Sequence, residues 1–527
     1  MTTSIPTVGS RARSWKLGYI LDGIAETARD STALIFGAER RCIGYGDLAE
    51  LVVDYCATLQ RGGLRPGDVV ALQSTNSIEF VVALLAAARA DIVVAPLDPA
   101  LPSAERRARV DRVGARVILT DAHDPSLAAS GDCPEWRLGT AQPSTSSPKS
   151  VMRPVIPGSA RVVAAPVPGL IARDALIMFT SGTTGTPKLV PWTHDNLAAS
   201  IMGIAGVYGL SSSDATVAAM PLFHGHGLIA TLLATLTTGG AVVLPTRGKF
   251  SAHTFWDDVS TVNATWYTAA PTIHEILLER ASVDIPRGYE GRLRFIRSCS
   301  APLSPAVVQR MEATFNAPVL AAYGMTETTH QASTVPPSAD ESTRLHTVGT
   351  PTGLSVRIVD GNGESCQPGA TGEICLRGPT GVRGYLDDAA ATASTFADGW
   401  IRTGDLGAVD GHGTLTVQGR IKEQINRGGE KVSPEHVEDV LMSHPGVAQA
   451  AVFGSPDVLY GERVAAVAVL ENGVHLDGED LISYCREHLA PYEIPENLTF
   501  VDELPLTAKG TPDRSQLANA FGGRGSV

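Results

Sequence analysis

One stretch constrains this chain more than any other: Phe179-Thr180-Ser181-Gly182-Thr183-Thr184-Gly185-Thr186-Pro187-Lys188. Residues 175–179 before it are apolar and read as a short buried strand, and residues 196–207 after it read as an apolar helix. Between them, glycines let backbone N–H groups approach an anion closely, and successive N–H groups form an anion-binding nest. The hydroxyls donate to phosphate oxygens, and Lys188 adds a positive point charge. The string is not a Walker loop, whose pattern ends Gly-Lys-Ser/Thr. Read alone, it is either an anion loop or a surface turn between strand and helix.

The 527 residues suffice for large cores and more than one domain. With 42 Lys+Arg against 55 Asp+Glu, the net charge of −13 and the lack of a basic block argue against nucleic acid or an anionic membrane surface. A bound polyanion must be held by local positive groups. Seven scattered cysteines without a Cys-x-x-Cys pair suggest reduced thiols and a cytoplasmic home. Residues 1–13 lack an apolar signal core, and the terminal Gly-Arg-Gly-Ser-Val is not a peroxisomal address. Residues 215–246 carry no Asp, Glu, Lys or Arg, but Pro221, His224, His226, Gly239 and Gly240 interrupt them. A buried strand–helix–strand unit therefore fits them better than a membrane span.

Strand and helix patterns alternate from the helix at 47–61 through the strand at 69–72, the helix at 77–90 and the strands at 92–97 and 117–120. Residues 121–168, rich in Pro, Ser and Ala, read as a long surface connection. Further strands are expected at 216–220, 241–244, 265–268, 294–297 and 319–322. From 353 to 419 the strands shorten and turns multiply, as in an antiparallel β subdomain. Beyond Arg420 the pattern is helix 434–443, strands 448–453 and 464–470, and helix 478–488. The expected fold class is α/β: a large N-terminal domain of parallel or mixed sheets with flanking helices (1–420, with the β subdomain at 353–419), and a small α+β C-terminal domain (421–527).

Further motifs follow in order. In Ala322-Tyr323-Gly324-Met325-Thr326-Glu327 the tyrosine offers a face for stacking, and Glu327 is an oxygen ligand suited to Mg²⁺; the plain alternative is a capped helix start. Ser298-Cys299-Ser300-Ala301-Pro302 ends a strand, Thr403-Gly404-Asp405-Leu406-Gly407 lies in the β subdomain, and Gly419-Arg420-Ile421-Lys422 and Asn426-Arg427-Gly428-Gly429-Glu430-Lys431 lie beyond it.

This set, spread over nearly the whole chain, resembles the acyl-adenylate-forming superfamily, which includes the acyl-CoA synthetases. The resemblance implies ATP held by Thr180, Ser181, Gly182, Thr183, Thr184, Gly185, Lys188, Ser300, Ala301, Pro302, Ala322, Tyr323, Gly324, Thr326, Glu327, Asp405 and Arg420. Asp405 then takes the ribose hydroxyls, a task a carboxylate suits, and Arg420 the second ribose and phosphate contact. Thr184 and Glu327 are the implied catalytic residues, and Glu327 the Mg²⁺ ligand. Lys422 is the implied hinge about which the C-terminal domain rotates between two half-reactions, and Gly428 and Gly429 line the path of CoA. Lys249 is a weaker CoA-phosphate candidate, or simply a surface lysine. A small carboxylic acid, ATP and CoA are the implied partners.

Around the acyl group the resemblance narrows. Pro221-Leu222-Phe223-His224-Gly225-His226-Gly227, the run from Thr265 to His274, Ser298-Cys299-Ser300 and Thr326-Glu327-Thr328-Thr329-His330 look like the oxalate–CoA ligases of plants and fungi. The implied holders of the distal carboxylate are His226, Ser300 and His330. So short a dicarboxylate cannot be gripped by an apolar tunnel, and its second carboxylate needs buried donors. Another small acid, malonate or a short fatty acid, remains the alternative. His-x-His also suits a metal, but no third ligand has convincing spacing.

The chain departs from the pattern near its end. The family's usual Leu-Pro-x-Thr-x-x-Gly-Lys is here Leu504-Pro505-Leu506-Thr507-Ala508-Lys509-Gly510-Thr511. Thr511 carries no charge to stabilise the developing phosphate. Lys509, two residues earlier, is either its substitute or a solvated lysine. Two readings follow: an acid–CoA ligase, or an adenylation-impaired relative that binds acyl and nucleotide groups. A domain that loads a carrier protein shares the first step, but the Arg427-Gly428-Gly429 loop and the lack of an appended carrier domain argue against it.

Overall fold

The computed structural model describes residues 15–121, 133–138, 167–180, 187–286, 292–471, 473–506 and 512–522. The chain divides into two compact units. The first comprises Met1–Tyr267, Met325–Gln331 and Gly378–Phe396; the second comprises Thr268–Gly324, Ala332–Arg377 and Ala397–Val527.

In the first unit a six-stranded sheet runs Glu135–Leu138, Val117–Asp121, Val69–Gln73, Val93–Leu97, Asp174–Phe179, Leu189–Thr193. Every neighbouring pair is parallel except the last. The inner strands are buried along their whole length, as parallel strands covered on both faces must be, and their Val/Ile/Leu runs reflect it. Helix Ile78–Arg89 is started by Ser77, whose hydroxyl accepts from the Phe80 N–H. Strand Glu135–Leu138 falls inside the stretch read as a connection, of which residues 122–132 and 139–166 lie outside the described residues. A second sheet pairs Thr32–Phe36 with Ala241–Val243, and Ala241–Val243 with Ala215–Val217, in parallel. The uncharged stretch is thus the expected strand–helix–strand unit. Its helical part, His226–Leu233, is a π-helix buried along its whole length, and such wide turns concentrate at functional sites.

In the second unit Phe295–Ser298 and Val319–Tyr323 pair in parallel. The 353–419 region is antiparallel as expected, with Ser355–Val359, Gly372–Arg377, Trp400–Val409 and Leu415–Arg420 as successive neighbours. The C-terminal sheet carries the predicted pair as longer strands, Val447–Asp457 and Gly461–Leu470. It adds the hairpin Ile425–Arg427/Glu430–Val432 and strand Asn497–Phe500, which the sequence reading lacked. Alternation sorts its side chains: Val452, Val464 and Ala466 join the core under helices Pro434–Ser443 and Gly478–His488, while Phe453, Ala465 and Val467 face Leu517 of helix Arg514–Phe521. The expected strands at 216–220, 241–244, 265–268, 294–297 and 319–322 are found as Ala215–Val217, Ala241–Val243, Trp266–Ala269, Phe295–Ser298 and Val319–Tyr323. Among the described residues no helix is long and apolar enough to cross a membrane.

Candidate active site

The Gly/Ser/Thr loop connects two antiparallel strands, Asp174–Phe179 and Leu189–Thr193, and not a strand and a helix as expected. The short strand Leu189–Thr193 was missed because five residues carry too little period to separate from the helix behind them. That helix, His194–Tyr208, starts on a capping box in which Thr193 and Asn196 satisfy each other's backbone N–H groups. Ser181, Gly182, Thr183, Thr184 and Gly185 lie outside the described residues. The loop's mouth is described: the Thr180 N–H donates to the Lys188 carbonyl at 3.1 Å, and the Lys188 N–H donates to Thr180 Oγ1 at 2.9 Å.

Lys188 Nζ stands over the ring of Tyr385, 4.6 Å from its centroid. The Tyr385 hydroxyl donates to Glu327 Oε1 at 2.7 Å. Burial, followed by the Glu327 charge, pushes that phenol's pKa well up, so it stays a proton donor. Glu327 is 7% exposed, and its carbonyl accepts from the Val382 N–H at 2.9 Å. It sits on the 3₁₀ turn Thr326–Thr328, which Trp192 Nε1 fastens by donating to the Thr326 carbonyl at 2.8 Å.

Beyond that turn the backbone enters the left-handed region at Thr329 (φ 50°) and His330 (φ 73°). Two non-glycine residues in succession there are costly. They are pinned: the Ser200 hydroxyl donates to the Thr329 carbonyl at 2.7 Å, and Thr329 Oγ1 donates to the Thr380 carbonyl at 2.8 Å. The result turns His330 onto His226, with ring centroids 5.1 Å apart and planes 24° from parallel. Both histidines are buried. Gly225 makes room for them, because a Cβ there would lie 2.9 Å from the Trp192 ring and 3.0 Å from His330 Cβ. Lys249 is exposed and makes no hydrogen bond or ion pair among the described residues.

In the second unit, Asp405 is 4% exposed and lies across from Arg420 in the strand register, with Arg420 Nε 3.0 Å from Asp405 Oδ1. The Tyr323 hydroxyl donates to Asp405 Oδ2 at 2.6 Å. Burial raises the pKa of Asp405, and Arg420 opposes that rise. Burial and then Asp405 push the Tyr323 phenol well up. Ser300 is exposed, with φ 82°, and is followed by Ala301 and Pro302. Ala322 is buried beside Tyr323, and Gly324 ends the unit's segment.

Lys422 is exposed on the 3₁₀ turn Ile421–Glu423 directly after Arg420. Gly428 and Gly429 form the tip of the Ile425–Arg427/Glu430–Val432 hairpin with φ 62° and 101°, which glycine tolerates and other residues do not. Lys509 and Thr511 lie outside the described residues. The chain on either side is held, because Leu506 bridges Pro512 and the Asp513 N–H donates to the Pro505 carbonyl at 2.8 Å. Arg514, which the sequence reading passed over, grips both Glu438 oxygens at 2.9 Å. Tyr385 and Trp192 were also missed: each acts through a contact remote in sequence, and no local pattern marks it.

The protein-family model described as AMP-binding enzyme matches residues 21–386, and the AMP-binding enzyme C-terminal domain matches 436–511. The oxalate–CoA ligase of Arabidopsis thaliana is 39% identical over 513 residues, covering 96% of this chain and 98% of the relative. That of Saccharomyces cerevisiae is 36% identical over 527 residues, covering 93% and 95%. Among solved structures, ATP-bound MatB from Rhodopseudomonas palustris superposes with a TM-score of 0.83 at 28% identity, over 96% of this chain and 99% of that one. The chain belongs to the AMP-binding enzyme family, as an acyl-CoA synthetase similar to the oxalate–CoA ligases.

Proposed function

We propose that this protein is an ATP-dependent acid–CoA ligase whose acid is a small dicarboxylate, oxalate foremost. The observation that carries the dicarboxylate is the buried His226–His330 stack. A fatty-acid tunnel would be lined with apolar groups, whereas two stacked, buried imidazoles bring polar ring nitrogens suited to a carboxylate into one place. The two relatives named as oxalate–CoA ligases support the same acid.

In the first step a carboxylate oxygen of the acid bonds to the α-phosphorus of ATP and pyrophosphate leaves. In the second, the CoA thiolate bonds to the acyl carbon and AMP leaves. The protein's part is positioning and charge. Lys188 and the 180–188 loop hold phosphates, and Asp405 with Arg420 holds the ribose. The Tyr323 ring, fixed by its hydroxyl, offers its face to adenine. His226 and His330 hold the far carboxylate; for Ser300 the assignment rests on resemblance alone. A single buried carboxylate, Glu327, with Oε1 engaged by Tyr385, fits an ion that takes most of its ligands from phosphate and water. Bound Mg²⁺ supplies neutralisation of phosphate charge there.

Gly428 and Gly429 face CoA, and rotation at Lys422 moves residues 421–527 between the two steps. Scattered cysteines, free among the described residues, support a reducing, cytoplasmic home. Thr511 favours the second reading, an adenylation-impaired binder. Pyrophosphate release with oxalate and ATP, measured without CoA, separates the two: release supports the ligase, and nucleotide binding without release supports the binder.

A further inference from the structure

We infer that Tyr385 is a positioning residue that couples the metal-binding carboxylate to the phosphate-loop lysine. The inference rests on the reading of Glu327 as the Mg²⁺ ligand. Segment Gly378–Phe396 belongs to the first unit, although the strands before and after it, Gly372–Arg377 and Trp400–Val409, both belong to the second. Within the first unit it forms a strap. Asn196 Nδ2 donates to the Pro379 and Gly381 carbonyls at 2.8 and 3.0 Å. The Leu386 N–H donates to the Leu189 carbonyl at 3.0 Å, directly after Lys188. Arg112 donates to the Pro187 carbonyl and also pairs with Asp387, tying the loop's exit to the strap.

Tyr385 stands at the centre of these ties. Its ring packs edge-on against Phe396, with centroids 5.4 Å apart. Its backbone N–H donates to Thr392 Oγ1 at 3.0 Å. With the ring so fixed, the hydroxyl orients Glu327 Oε1, and Oε2 accepts no hydrogen bond among the described residues. The face of the same ring holds the Lys188 ammonium. One side chain therefore sets both the direction of the carboxylate and the place of the cation. Orientation by a neighbouring donor is how outer groups tune a metal ligand.

The test is calorimetric titration of the full-length protein with ATP over a range of Mg²⁺ concentrations, without acid or CoA, so that binding is read apart from turnover. Tyr385→Phe keeps the ring and removes the hydroxyl. The Mg²⁺ needed for half-maximal ATP affinity should rise roughly three- to tenfold, as expected for one lost hydrogen bond, with metal-free ATP affinity unchanged. Tyr385→Ala should in addition weaken metal-free pyrophosphate binding, because the ring over Lys188 is gone. In a Glu327→Gln background, Tyr385→Phe should add nothing further. An unaltered Mg²⁺ dependence in Tyr385→Phe, while Glu327→Gln shifts it, would overturn the coupling alone. An unaltered dependence in Glu327→Gln would overturn the Glu327 assignment and the coupling with it. Melting temperatures of the variants exclude misfolding as the cause.

Discussion

The imidazoles of His226 and His330 stack 5.1 Å apart although 104 positions separate them in the chain, one opening a π-helix and the other sitting in left-handed backbone. Imidazole N–H groups donate to a carboxylate at the pair's edge, and a neutral acyl chain offers them no acceptor.

The first expectation concerns this pair. His330→Ala should lower kcat/KM for the dicarboxylate by on the order of 10²-fold or more, the penalty when a site built for hydrogen bonding loses a partner. A monocarboxylic acid should be affected far less. Steady-state kinetics with both acids checks this, and an equal loss for both would mean that the histidine is structural.

Asp405 sits between two donors, so removing its charge should be costly. Asp405→Asn should weaken ATP binding by about 10- to 100-fold, since hydrogen bonds to charged groups contribute roughly 1.5–3 kcal/mol. Tyr323→Phe should cost only about fivefold, the share of one hydrogen bond. Equilibrium binding of ATP and AMP reads both, and unchanged AMP affinity in Asp405→Asn would contradict a ribose role.

His194 makes a prediction about stability and pH. Its Nδ1 accepts from the Leu17 N–H at 3.2 Å, and burial, aided by Arg173, lowers its pKa from 6.5 to about 4. Between those values the unfolded chain binds a proton that the folded chain refuses. Stability is therefore complete above about 6.5 and falls as pH drops toward 4, by about 3 kcal/mol from this group. His194→Gln should flatten that limb in denaturant melts at pH 7, 6, 5 and 4. A slope identical to the parent's would assign the acid sensitivity elsewhere.

Thr511 stands where the family carries a lysine. Thr511→Lys should raise pyrophosphate release by up to about 10²-fold, the scale of one charge-stabilising donor. A rate unchanged in Thr511→Lys but lost in Lys509→Ala would assign the role to Lys509.

Much of this was legible in the sequence, for identifiable reasons. Strands such as Val69–Gln73 and Val93–Leu97 are buried on both faces and announce themselves as unbroken apolar runs. Asp405 and Arg420 were found as motifs, yet their pairing emerges only from the strand register. Strand Leu189–Thr193 was hidden against the helix that follows it. The hairpin tip at Gly428 and Gly429 was read as a loop because its two short strands each carry three residues. Tyr385 was invisible, since its meaning lies in Glu327 and Lys188, 58 and 197 positions away. Motifs report chemistry held within a few residues; a strap that ties distant ones together leaves no local trace.

The central claim is tested most directly by AMP formation from ATP and Mg²⁺ in the presence of CoA, with oxalate, malonate, acetate and octanoate supplied separately. The account predicts oxalate-dependent AMP well above that from the other three. Equal or greater AMP with octanoate would contradict the dicarboxylate site at His226 and His330, and no AMP with any acid would contradict the ligase itself.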